Sequence, residues 1–373
     1  MQLLGGLSAK TFLSRFWQKK PLLIRGAIPE FDGIIQAPEL FRLAGRDDVE
    51  SRIVRRSGRR WKLAQGPFSR ADIERQPRAN WTLLVQGVNC VHPPADDLLR
   101  RFDFIPYARL DDVMVSYAAP GGGVGPHLDS YDVFLLQGSG RRRWRLSRKV
   151  APEFREDAPL RVLKRFRPER EWLLEPGDML YLPPGWAHEG TAVGACTTCS
   201  IGFRAPARAE LAGEFLAWLG ARADLPGLYR DPGLRPARNA AEIPRGLVRA
   251  AARAVRALRW TEKDLASFVG SYLTAPKPRT VFEPPRRALS PAAFARRCRD
   301  AGLALDARTQ LLFLGRDFFV NGEALAPRPA LAPPLRRLAH ERRLGPGRAP
   351  AALCELAYRW YLSGWLRPGD GHG

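Results

Sequence analysis

In the stretch GPHLDSYD, Gly125 to Asp132, a histidine and an aspartate stand two residues apart in a chain with only 5 histidines. On extended backbone, residues i and i+2 point to the same face. His127 and Asp129 could therefore converge on one ion. A third donor would have to come from another strand, and His188 in EPGDMLYLPPGWAHEG is the candidate. A Gly-Asp turn, an apolar run, PPGW and then histidine describe a strand feeding the mouth of a barrel. Two histidines and one carboxylate make the facial triad that holds non-haem Fe(II) and leaves three positions open for a co-substrate and oxygen. Either histidine taken singly is more often a hydrogen-bonded structural residue; the metal reading rests on the set. His92, His340 and His372 have no comparable setting.

Arg142 points the same way. A GSG turn at 138–140 sends the chain back as RRRWRLS. Strand alternation puts Arg141, Arg143 and Arg145 on one face and Arg142 with Trp144 and Leu146 on the other. An inward arginine needs an anion, because an unpaired buried charge is costly. A dicarboxylate chelating the metal at one end would offer its far carboxylate to a guanidinium fork; an internal Asp or Glu would serve equally. The preceding GGGVG is followed by neither Lys-Ser/Thr nor a helix, so it is no phosphate loop. It reads as a flexible lip that admits a large substrate beside the metal. Cys196 and Cys199 form a C-x-x-C with no second pair, in an apolar stretch that favours buried structural thiols over zinc or redox chemistry.

These residues need strands to position them. Residues 1–206 carry short apolar runs broken by Gly and Pro, such as DDVMVSYAA, DMLYLPPGW and TTCSIGF, a pattern of β-barrels and sandwiches. TFLSRFWQ and APELFRLA add helices near the start. Over 207–275 the period becomes helical: Leu211, Phe215, Trp218 and Leu219 share one face, Leu247, Ala251, Val255 and Leu258 another. Thr261 with Asp264 reads as a capping box. Such apolar helices suit a dimer interface or packing within the chain. After a Pro-rich linker, 276–373 offers a helix capped by Ser290 with Pro291 at its first turn, strands with an Asn321-Gly322 turn, and two further helices, a winged-helix-like order.

The chain has 373 residues, 60 Lys+Arg against 38 Asp+Glu and a net charge of +22. Such a balance fits anionic surroundings such as nucleic acid or a ribonucleoprotein; a solvated Arg-rich surface is the other reading. No apolar run is long enough to span a membrane, and the first residues lack a signal-peptide pattern, so a cytoplasmic protein is expected. The odd count of 5 cysteines disfavours a disulfide framework.

Taken together, PGGGVGPHLDSYDVFLLQGSGRRRWRLS, LEPGDMLYLPPGWAHEG and SIGFRAP, with FWQKKPLLIRG near the start, resemble the bacterial JmjC-domain ribosomal oxygenases. The resemblance implies a mainly β fold with α: a double-stranded β-helix (cupin/JmjC) core, a helical dimerisation region and a C-terminal winged-helix domain. It implies Fe(II) with 2-oxoglutarate and O2 as co-substrates, and hydroxylation of an arginine β-carbon in ribosomal protein L-sixteen. His127, Asp129 and His188 match the iron ligands and Arg142 the residue that takes the distal carboxylate of 2-oxoglutarate. Asp112 and Tyr131 fall where the family holds the cationic substrate side chain. Two positions depart from it: Ala118 stands for a serine before the glycine run, and Thr198 for an asparagine at the co-substrate. Action on another ribosomal or RNA-associated protein, demethylation, and a non-catalytic ribosome-binding barrel are the competing readings.

Overall fold

The computed structural model describes residues 2–58, 60–148 and 151–369. Its strands up to residue 203 are β1 (Leu22–Ile24), β2 (Ser51–Ser57), β3 (Arg60–Gln65), β4 (Trp81–Val85), β5 (Leu110–Ala118), β6 (His127–Leu128), β7 (Asp132–Gln137), β8 (Arg142–Ser147), β9 (Arg170–Leu174), β10 (Met179–Leu182), β11 (Ala187–Ala192) and β12 (Cys196–Phe203). They form an 8-stranded sheet in the order β1-β10-β7-β12-β5-β4-β2-β3 and a 4-stranded sheet in the order β6-β11-β8-β9. Every pairing within both is antiparallel. This is the double-stranded β-helix architecture.

The apolar runs follow from burial on two sides. In β7, Phe134 and Leu136 belong to one cluster with Phe12, Phe102, Tyr181, Ile201 and Phe203. Val133 and Leu135, alternating with them, belong to another with Trp144, Leu146, Leu180, Leu182 and Trp186. A central strand covered on both faces cannot alternate polar and apolar residues, so it reads as a continuous apolar run. The helices α1 (Ala9–Arg15), α2 (Ala37–Ala44), α3 (Arg70–Glu74) and α4 (Pro93–Arg100) supply one cover: Phe12, Leu40, Leu43, Ile73, Leu98 and Leu99 all enter the first cluster. The minor sheet supplies the other, and the space between the sheets is where the polar interior residues meet.

The chain forms two compact units. The first comprises residues 1–205, 276–309 and 340–373, the second 206–275 and 310–339. In the second, α5 (Arg208–Gly220), α6 (Arg245–Ala257) and α7 (Glu262–Thr274) precede an antiparallel sheet of β14 (Leu311–Leu314), β15 (Asp317–Val320) and β16 (Glu323–Leu325). Phe215, Leu219 and Phe268 form its core with Trp218, Leu258, Val269 and Tyr272 packed around them. Thr261 caps α7 through Asp264, and the Asn321-Gly322 turn joins β15 to β16, both as the residue types anticipate. A Cβ on Gly270 would lie 2.4 Å from the Phe319 ring, so α7 and β15 approach as closely as glycine permits. In the first unit, α8 (Pro291–Ala301) and α10 (Ala351–Leu362) pack together beside a sheet of β13 (Leu303–Leu305), β17 (Arg343–Leu344) and β18 (Leu366–Pro368), with Phe294, Leu353 and Trp360 fully enclosed. The helix α9 (Ala332–Glu341) carries the chain back into this unit.

Candidate functional site

His127 and His188 face one another across the minor sheet, because β6 and β11 pair with His188 opposite His127. Their ring centroids are 4.2 Å apart. The Asp129 carboxylate stands 3.8 Å from His127 Nε2 and 3.5 Å from His188 Nε2. One donor atom from each of the three can be chosen so that all lie within 4.8 Å of one another, the one such set of three among the described residues.

Each imidazole is held in the ligating tautomer. His127 Nδ1 is 2.9 Å from the Gly125 carbonyl and His188 Nδ1 is 3.0 Å from the Trp186 carbonyl. A carbonyl accepts only, so each Nδ1 carries a hydrogen and donates, which leaves Nε2 as the atom each ring turns toward Asp129. Burial, and next the neighbouring His127, press His188 down to about 4, so its ring is neutral at physiological pH. The donor set fits a borderline divalent transition metal, with half of its coordination sphere free.

Arg142 lies deeper. It is 4% exposed and shares its inward face with Trp144 and Leu146, as the alternation anticipates. Its Nη1 donates to Ser116 Oγ at 3.3 Å and Thr198 Oγ1 at 3.4 Å, and its Nη2 to the Gly190 carbonyl at 3.3 Å. All three contacts are long and neutral, no carboxylate among the described residues lies within ion-pair reach, and Nε has no partner. Burial alone pushes the guanidinium below its ordinary value. A buried arginine left in this state is built to receive an anion. The second group, a dicarboxylate co-substrate, therefore fits on charge: one end at the metal triad, the other at Arg142, with the Ser116 and Thr198 hydroxyls as further donors.

Thr198 thus sits in the arginine's environment although it stands where an asparagine was expected. Its hydroxyl also donates to Gln137 Oε1 at 3.1 Å. Ala118 faces Cys196 and Thr82 across its two ladders and packs with Ala192 and Cys196. Ser116, Gln137 and Gly190 are site residues that sequence reasoning passed over. Parity alone placed two of them: Gly190 is two residues past His188 on the same face, and Ser116 alternates inward with Asp112 on β5.

Asp112 is buried and engaged. Its Oδ2 accepts from Gln86 Nε2 at 2.7 Å and the Gly87 amide at 3.0 Å, with Lys277 Nζ 3.8 Å away. Lys277 is also 2.8 Å from Asp111. Burial holds the Asp112 carboxyl above the usual range, against the pull of Lys277. Tyr131 is 41% exposed; partial burial and then the carboxylates of Asp129, Asp112 and Asp111 keep its phenol protonated.

The glycine run is not a loose lip. Gly121 N donates to Ala192 O at 2.9 Å and Ala192 N to Gly122 O at 3.0 Å. A Cβ on Gly122 would stand 2.1 Å from Trp81 O, and one on Gly123 2.2 Å from Gly190 O. These glycines are small because sheet backbone passes against them, not to admit substrate. The C-x-x-C thiols are buried, and burial raises Cys199 to about 12, so both are packing residues. His92 bonds the Ile34 carbonyl and His340 stacks on Tyr107, while His372 lies outside the described residues.

Comparison with known proteins adds relatives. The JmjC domain family matches residues 97–211 and the ROXA-like winged helix family residues 257–367. The ribosomal protein uL16 3-hydroxylase of Escherichia coli (strain K12) is 41% identical over 235 residues, 62% of this chain and 62% of that protein. A probable ribosomal oxygenase of Haemophilus influenzae is 39% identical over 207 residues, 54% of this chain and 50% of that protein. These alignments span between half and two thirds of the curated relatives. The X-ray structure of E. coli ycfD superposes over 97% of this chain and 98% of that one at 32% identity, with a TM-score of 0.83. A structure of YcfD, described as a ribosomal oxygenase, in complex with cobalt and 2-oxoglutarate gives a TM-score of 0.80 at 31% identity over the same shares.

Proposed function

The chain belongs to the JmjC-domain ribosomal oxygenases, and from that premise we propose that it is an Fe(II)- and 2-oxoglutarate-dependent hydroxylase of a ribosomal protein, oxidising an arginine β-carbon of uL16. The observation that carries the reading is the pairing of the His127–Asp129–His188 donor set with the anion-seeking Arg142 inside one barrel. A non-catalytic ribosome-binding barrel has no use for a buried, unpaired arginine beside a metal triad.

His127, Asp129 and His188 would hold the metal on one face. Arg142, aided by Ser116 and Thr198, would take the distal carboxylate of the co-substrate and so orient its reactive end toward the triad. The bonds from Nδ1 to the Gly125 and Trp186 carbonyls keep both rings aimed while the metal loads. When bound, iron and 2-oxoglutarate would supply the oxidation: O2 would be split, one oxygen atom passing into succinate as 2-oxoglutarate loses carbon dioxide and the other into a substrate C–H bond. Tyr131 and Asp112 are our candidates for holding the substrate cation, the first by its π face and the second by charge. Lys277 already faces Asp112, so an incoming guanidinium has to displace or share with it.

We further propose that the helices of 207–275, which in sequence follow a catalytic region 1–206 and precede a winged-helix region 276–373, join two copies of the chain in a homodimer, and that the protein acts in the cytoplasm, where its substrate is made. Incubating the iron-loaded protein with ribosomal proteins and 2-oxoglutarate tests the activity. The expected result is a gain of one oxygen on uL16 with matching succinate, lost on chelation and in His127→Ala. A gain on a different ribosomal protein would move the substrate assignment, and no gain on any would sink the proposal.

A further inference from the structure

From Arg245 to Trp260 the chain carries five arginines and no carboxylate. Four of them, Arg245, Arg249, Arg253 and Arg256, lie on α6 at spacings of four, four and three. At 3.6 residues per turn their side chains fall within about 80° of arc. All four are exposed, and none forms an ion pair with another described residue. On two other helices arginines face carboxylates one turn away, Arg70–Glu74 on α3 and Asp96–Arg100 on α4. A solvated surface normally mixes signs in that way. Like charges repeated at i, i+4 oppose helix formation, so an unbroken row on α6 is sustained against local preference.

The arginine row is centred opposite the apolar face formed by Leu247, Ala251, Val255 and Leu258. That arrangement separates two candidate partners. A helix lying in a membrane surface sinks its apolar face and carries cations along the flanks, where they meet headgroups. Here, with the apolar face sunk, the arginines would point away from the bilayer. With that face against protein, they project outward as a row advancing about 6 Å per i, i+4 step. Guanidinium forks suit phosphate oxygens.

We infer that the arginine row of α6 binds the phosphate backbone of RNA, without base specificity. The choice of RNA over another polyanion rests on the proposed ribosomal substrate; the surface itself rests on the helix alone. It lies outside the metal and co-substrate machinery, so its role is to hold the enzyme on RNA-bearing substrate.

The test is equilibrium binding of the full chain to a hairpin RNA of about 16 base pairs, titrated from roughly 50 to 200 mM salt. R249Q should lower the slope of log affinity against log salt by about one. The four-site variant R245Q/R249Q/R253Q/R256Q should lower it by about three to four and weaken binding on the order of a hundredfold at the low-salt end. Glutamine is a good helix former, and unchanged circular dichroism in both variants excludes unfolding as the cause. Unchanged slope and affinity in the four-site variant, or no RNA binding by the wild type, overturns the inference. So does arginine-dependent binding to phosphatidylserine vesicles in place of RNA. Succinate release with free uL16 is measured in parallel. Loss of RNA affinity with no turnover in any variant supports this inference and instead counts against the proposed activity.

Discussion

Arg142 is the residue whose environment asks for most. It is buried, charged, donates only to two hydroxyls and a carbonyl, and has an idle Nε. Such a group costs stability and is kept for what it binds. Arg142→Met should therefore separate stability from function. Without co-substrate its melting temperature is expected to match or exceed that of the wild type, while the KM for 2-oxoglutarate rises on the order of a hundredfold, the loss of about two charge-assisted hydrogen bonds. A lower melting temperature with unchanged KM would show Arg142 to be structural. At this scale much was readable: an H-x-D spacing on extended chain, a histidine after an apolar strand, and an inward arginine by alternation. Ser116, Gln137 and Gly190 were not singled out, because a small or neutral residue becomes a site residue only through what stands across the sheet from it.

The elements turn spacing into geometry. The pairing of β6 with β11 sets His188 opposite His127, and that of β11 with β8 sets Gly190 opposite Trp144. At Gly190 the ladder leaves no room: an added Cβ would lie 2.7 Å from Arg142 Nε and 2.7 Å from the Trp144 ring. Gly190→Ala is expected to push both aside, raising the KM for 2-oxoglutarate about tenfold or more and costing about 1–3 kcal/mol from overpacking. Co-substrate titration with thermal melts checks both, and a wild-type KM would mean that Arg142 can move without consequence. The same ladder accounts for the misjudged glycine run. Flexibility is a fair reading of GGGVG in isolation, but Trp81 O and Gly190 O pass where its side chains would be.

At the scale of the whole molecule, the second unit exposes large apolar residues that its own core leaves uncovered. Leu228 is 89% exposed, Val255 68% and Leu216 57%. The proposed dimer would cover residues of this kind, since burying exposed apolar side chains is favourable. Leu247→Asp with Val255→Asp should convert a two-chain particle to one chain in sedimentation equilibrium, leaving that chain's co-substrate binding intact. A wild-type protein sedimenting as a single chain would remove the dimer. The basic balance of +22 finds a local expression in the arginine row of α6, where charge and helical period coincide.

The sequence by itself determined the local patterns: strand runs that are apolar because both faces are covered, caps at Ser290 and Thr261, the triad's candidates and the parity of Arg142. These depend on residue type and period, which short-range physics settles. Only the tertiary structure decided that the three donor groups converge, that Arg142 has no carboxylate partner, that Lys277 sits against Asp112, and that α7 packs on β14–β16. Each of these joins residues far apart in the chain, and which groups meet there is set by strand register and sheet closure rather than by any neighbour in sequence.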